Sequence, residues 1–197
     1  MRKLLLLLSI LMFTIAAAAQ SAPTPCSAIK PDAAKMKKPS PPACTDIQFT
    51  GGKRVVIQYS QPKINDPQTG KVRKVYGGLV PWGEPWRAGA NEATSLVTDT
   101  DLTIGGTKVP AGSYTLYIQA EENGPWKLIV NKTTGQWGIP YPGEASDLAR
   151  IDMKTSQLPK TVERLTMSLE KKSGNAAVLN VDWENTRASV PVSATGD

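Results

Sequence analysis

The chain is predicted to be all-β, a single antiparallel β-sandwich (jelly-roll-like or barrel-like) with one long Trp/Pro/Gly loop. Three observations carry that prediction. Between Cys44 and Val192, apolar residues recur at every second position in short runs, the pattern of strands with one buried face. Gly, Pro, Asn and Asp separate those runs at the spacing of hairpins in an all-β domain. No segment has a convincing helical period, and roughly 150 residues are enough to enclose one core.

Ile47 to Phe49 opens the domain and stops at Gly51-Gly52. In the run from Arg54 to Ser60, Val55, Ile57 and Tyr59 alternate with Val56, Gln58 and Ser60. Asn65-Asp66-Pro67 and Thr69-Gly70 are turn residues, because Asn and Asp side chains bond nearby amides and Gly accepts positive φ. Thr94 to Thr98 is the next strand, and Asp101 to Ile104 with Thr107 to Val109 flanks Gly105-Gly106 as a small hairpin. Tyr114, Leu116 and Ile118 share one face, and Trp126, Leu128 and Val130 do so after Asn123-Gly124-Pro125. Ala149, Ile151 and Met153 continue the alternation, followed by Leu165, Met167 and Leu169. Leu179, Val181 and Trp183, then Ala188, Val190 and Val192, complete it. Glu144 to Ala149 has room for one helical turn. The domain is expected over residues 44–192, with 193–197 a flexible tail.

The N-terminus has the form of an export signal over residues 1–19. Arg2 and Lys3 precede an apolar run from Leu4 to Ala19, broken only by Ser9 and Thr14, and Ala17-Ala18-Ala19 suits a signal peptidase. The run falls short of the roughly 20 residues of a spanning helix, so no membrane span is expected after cleavage. The mature protein is expected in the periplasm or the medium. Its formal charge drops from +6 to +4 once Arg2 and Lys3 are gone. That mild excess gathers at Lys30, Lys35, Lys37 and Lys38, with no basic stripe through the domain, so nucleic acid is not an expected partner.

Residues 20–43 hold Pro23, Pro25, Pro31, Pro39, Pro41 and Pro42 and read as an extended linker. Cys26 and Cys44 bracket most of it, and in an oxidising compartment they are expected to form a disulfide at the domain edge.

The long loop, Tyr76 to Thr94, contains Trp82, Glu84, Trp86, Arg87, Asn91 and Glu92 among glycines and prolines. Loops of this kind lie at the surface and often carry binding residues. Tyr59-Ser60-Gln61-Pro62, Gly77-Gly78-Leu79-Val80-Pro81 and Trp86 through Thr94 resemble the hallmark words of an exported bacterial family, domain of unknown function 2911. Pro110 through Leu116, Asn131-Lys132 and Gln136-Trp137-Gly138 fall where that family has similar words. The match spans about residues 45 to 192. Gln61 stands where the family usually has arginine, and Lys63 to Lys74 is longer than its usual connection. The resemblance implies an exported, mostly β domain and no activity.

Chemistry therefore has to come from the residues. The chain has no histidine, which removes Ser-His-Asp and Cys-His catalysis and the commonest metal ligand. No metal or cofactor is expected: Asp99 and Asp101 beside Thr98 and Thr100 read as a polar turn rather than a calcium loop. Asn131-Lys132-Thr133 fits a glycosylation acceptor but reads as a turn in a bacterial chain. The leading expectation is a non-catalytic binding or interaction module for a small molecule or carbohydrate. Its site is formed by Trp82, Trp86, Arg87, Asn91, Glu92 and Trp137. The alternatives are a glycosidase-like hydrolase using Glu84 and Glu92, and a purely structural envelope protein. Arg87 has two readings, a fork that grips a ligand or an internal clamp paired to Glu92. Trp82 is expected to be the exposed indole, with Trp137 facing it across one rim, and Trp126 and Trp183 are expected in the core.

Overall fold

A computed structural model describes residues 21–30 and 32–195. The leader expected over residues 1–19 lies outside the described residues. Among the described residues ten strands follow one another: β1 (Pro42–Gln48), β2 (Arg54–Ser60), β3 (Pro85–Trp86), β4 (Thr94–Thr98), β5 (Leu102–Ile104), β6 (Thr107–Val109), β7 (Gly112–Gln119), β8 (Trp126–Asn131), β9 (Asp147–Lys171) and β10 (Ala176–Ala194). All pair antiparallel in the spatial order β1-β2-β4-β7-β8-β9-β10-β5-β6, with β3 laid against the far end of β7.

The sheet is open, yet it curls over itself into a sandwich-like fold. Strand β9 makes the corner: its first residues pair with β8 through Trp126 and Met153, and the remainder pairs with β10. The returning half of β9 then meets the first two strands. The Tyr59 hydroxyl accepts from the Met167 amide at 2.9 Å, and the Leu169 amide donates to Thr45 Oγ1. Alternate residues from both layers fill the space between them. Val55, Ile57, Leu96, Leu116, Leu128, Ile151, Leu165, Leu179, Val181, Trp183 and Val190 are all buried there. Every alternating set read from the sequence points its apolar members inward.

Three boundaries differ from expectation. Strand β1 starts at Pro42, because Pro42 and Ala43 already stand opposite Ser60 and Tyr59. Strand β10 runs to Ala194, since Ser193 and Ala194 pair with Thr103 and Leu102, so the first residues of the expected tail belong to the sheet. Asn131 ends β8 as a buried residue bonded to Asp147, which makes its amide inaccessible to a glycan. The helical turn expected near Glu144 is a 3-10 turn, Glu144–Ser146.

The segment read as a linker lies on the domain. It carries a short helix, α1 (Ala33–Met36), capped by the Asp32 carboxylate, which accepts from the Ala34 and Lys35 amides. Such a cap supplies acceptors for otherwise orphaned first-turn donors. Cys26 and Cys44 are disulfide-bonded with their Cα atoms 5.7 Å apart, so β1 holds one end of the segment and the bridge returns the other to it. Arg164 Nη1 donates to the Pro39 carbonyl, and the Gln61 amide donates to that of Pro41. Prolines cannot donate, but their carbonyls accept, and the domain supplies the partners.

Candidate functional site

The long loop divides into two halves with different destinations. In the first, Val80 folds back on Val75, and the Gly77 amide donates to the Val80 carbonyl at 2.8 Å. Gly77 has a φ of 74°, and a Cβ there would lie 2.5 Å from Trp82 Nε1, so only glycine fits. Trp82 stacks on Tyr76 with ring centroids 6.0 Å apart, and Tyr76 meets Trp126 at 4.7 Å. Trp86 stacks on Trp183 at 5.6 Å. Burial, with a smaller push from Glu184 and Asp182, holds the Tyr76 hydroxyl far above its ordinary pKa, so it stays neutral. This half is an aromatic plug in one end of the sandwich. Trp82, expected to be exposed, is half-buried in it, because its ring covers Tyr76 and Trp126.

The second half turns outward. Ala88 and Asn91 take left-handed φ values of 52° and 58°, and the Thr94 hydroxyl donates to the Ala88 carbonyl to hold the turn. Left-handed backbone suits Asn better than Ala, so Ala88 stores some strain. The turn sends Arg87 and Glu92 apart. The clamp expected between them is not formed, since each has found a partner distant in sequence. Arg87 Nη1 donates to the Trp137 carbonyl at 3.0 Å, and its guanidinium lies 5.2 Å from the centroid of the Trp137 ring. Glu92 accepts from Lys35 Nζ at 3.0 Å. Its own backbone amide and then Lys35 hold the Glu92 carboxyl below its ordinary range. Asn91 Nδ2 donates to the Ser40 carbonyl at 2.9 Å, so the loop tip also tethers the N-terminal segment. Trp137 is the one exposed tryptophan of the five, at 54 %. It faces Arg87 rather than Trp82.

Two adjoining cavities open on this side. The larger, about 450 Å³, lies between the N-terminal segment and the sheet, with Ile29, Met36, Gln58, Ser60 and Asn91 among its walls. The second, about 380 Å³, lies between β4, β7 and the loop carrying Gln136 and Trp137. Glu92, Ala93 and Ser95 line both, which makes them one groove. Volumes of this order are typical of small-ligand sites. Glu84 is exposed and lines neither cavity.

The site thus brings together Asn91, Glu92, Trp137 and, behind the indole, Arg87. Trp82 and Trp86 belong to the plug. The residues missed by sequence reading are the small polar ones on the outward positions of β2 and β4, Gln58, Ser60 and Ser95, together with Lys35 and Ser40 from the N-terminal segment. Their signal was present in the alternation itself, since the positions between core residues face out. Asp99 and Asp101 accept the amides of Arg54 and Ala111 and serve as turn residues. Among the described residues no group of three or more His, Cys, Asp or Glu is placed to hold a metal, and no helix is long and apolar enough to cross a membrane.

An open, curled antiparallel sheet with an outer groove roofed by a disulfide-clipped N-terminal segment defines the class of protein. The chain belongs to the family described as protein of unknown function (DUF2911), whose model matches residues 40–192. That span begins just before β1 and ends inside β10. No match was found among curated proteins or among solved structures.

Proposed function

We propose that the protein is an exported, non-catalytic binding module whose groove takes a small molecule or carbohydrate. The observation that carries this reading is the pair of contiguous cavities sharing Glu92, Ala93 and Ser95. Export is supported by the leader-like residues 1–19 and by the Cys26–Cys44 bridge, which belongs to oxidising compartments. Binding is favoured over hydrolysis by the state of Glu92. A general acid at neutral pH needs a carboxyl pushed upward, and this one is held down and paired.

The test is a thermal-shift screen of the mature protein against sugars, peptidoglycan fragments and organic acids. A ligand that raises the melting temperature of the wild type and not of Ser95→Trp, whose indole fills the junction of the two cavities, supports the reading. Shifts that survive this substitution place binding elsewhere.

A further inference from the structure

We infer that the groove is built for a neutral, linear oligosaccharide lying across the strands, from beneath the Cys26–Cys44 bridge to the indole of Trp137. This deepens the binding reading above and rests on it.

The floor of the groove comes from the sheet register. Gln58 stands opposite Ser95, and Ser95 opposite Thr115, so one polar row crosses β2, β4 and β7. Neighbours in such a row are about 4.8 Å apart, close to the length of one pyranose ring. The backbones of β2, β4 and β7 are already paired on both sides. A peptide therefore cannot add as a further strand to these three, and recognition over them has to use side chains.

Those side chains are available. Gln58, Ser60, Ser95 and Ser113 line the groove, and among the described residues none of their side chains has a hydrogen-bond partner. Ser60 is only 6 % exposed, yet its hydroxyl still opens on the cavity, where water or a ligand can reach it. Hydroxyls and amides both donate and accept, as sugar hydroxyls do. Thr115 donates to the Thr133 carbonyl and keeps lone pairs to accept with.

Charge and shape narrow the ligand further. Lys35 and Glu92 neutralise each other above the middle of the groove, which leaves Lys38 as the remaining charged residue in the wall of the larger cavity, and the Arg87 guanidinium is engaged by Trp137. Opposite the polar floor, Ile29 and Met36 line the larger cavity from the N-terminal segment. A ligand seated here needs an apolar face and polar edges, which is how a pyranose with equatorial hydroxyls is made. At the far end, Trp137 offers an indole face fixed from behind by Arg87, a platform that needs little ordering on binding.

Calorimetric titration of the disulfide-intact mature protein tests this. The probes are cellotetraose, chitotetraose and laminaritetraose, their disaccharides, tetragalacturonate and decanoate. At least one neutral tetrasaccharide should bind, at least tenfold tighter than its disaccharide. Trp137→Ala should weaken it tenfold or more without lowering the melting temperature, and Gln58→Ala, at an exposed position, should weaken it several-fold. Equal affinity for disaccharide and tetrasaccharide overturns the cross-strand placement. Tetragalacturonate or decanoate binding in a Trp137-dependent way, with the neutral glycans silent, overturns the glycan and leaves the groove as the site. Silence from every probe overturns the glycan assignment as well, and the wider screen then decides whether the groove binds anything.

Discussion

Trp86 and Trp137 both sit beside Arg87, one in sequence and one in space, and they do opposite things. Trp86 stacks on Trp183 inside the aromatic plug, while Trp137 rests on a guanidinium with half its surface in water. The first half of the loop spends its indoles on closing the sandwich. The second half uses polar groups to hold the N-terminal segment and one exposed ring. One loop word, continuous in sequence, thus packs the core in one stretch and tethers surface groups in the other, divided at Arg87.

The sharpest test of that division is truncation of each ring. Trp86→Ala should lower unfolding stability by about 3 kcal/mol in urea titrations, the scale of losing an aromatic side chain packed against a core. Trp137→Ala should stay within about 0.5 kcal/mol of wild type, as exposed positions usually do. Equal losses would erase the distinction between the halves.

Opening the bridge should be the next largest effect. Cys26→Ser with Cys44→Ser removes a restraint worth up to about 3 kcal/mol for a loop of this length. The loss falls on the N-terminal segment. Proteolysis and amide exchange over residues 26–40 should accelerate while the protection of β7 and β8 stays as it was. Global unfolding of the double variant would mean that the segment belongs to the core.

Arg87→Ala should cost about 1–2 kcal/mol, the sum of one hydrogen bond to the Trp137 carbonyl and one cation–π contact. Because Glu92 keeps Lys35, no carboxylate is orphaned. Trp137 emission should shift toward that of a free indole. A loss above about 3 kcal/mol would reveal a buried charge pair of the kind the loop's own sequence suggests.

The smallest effect is a pH dependence. Glu92 titrates below its ordinary 4.5, so its contribution to docking is complete above 4.5 and fades as pH falls through the lowered value. Asp66 and Glu170 are also lowered, so global stability in acid reports all three. A local reading is needed, such as amide chemical shifts of Lys35 and Glu92 between about pH 6 and pH 3. Glu92→Gln should flatten that transition.

The strands were legible because burial of one face imposes a period of two on the chain, and each alternating set from Val55 to Val192 entered the core. The partners were not. Arg87 and Glu92 are near each other in sequence and oppositely charged, which invites pairing, yet left-handed turns at Ala88 and Asn91 separate them. Their real partners lie 50 and 57 residues away, at separations that no local pattern encodes. The proline-rich segment misled for a related reason. Composition announces extended backbone, but whether it docks depends on donors such as Asn91 and Arg164 from elsewhere in the chain. Trp82 is half-buried instead of exposed because Tyr76, not the neighbouring Pro81 or Gly83, decides where it lies.

Strand β10 follows all the other described strands and holds the middle of the second layer, between β9 and β5. Its Trp183, Ala188, Val190 and Val192 are core residues, and its final residues pair with Leu102 to Ile104, far back in sequence. A nascent chain that has reached β8 therefore has its first sheet assembled with no lid on the apolar face. Nonlocal pairings of this kind fold slowly, because a large loop must close before they form. A chain cut before Ala176 lacks that lid and should be aggregation-prone rather than a shorter domain, which solubility of the truncated protein would check.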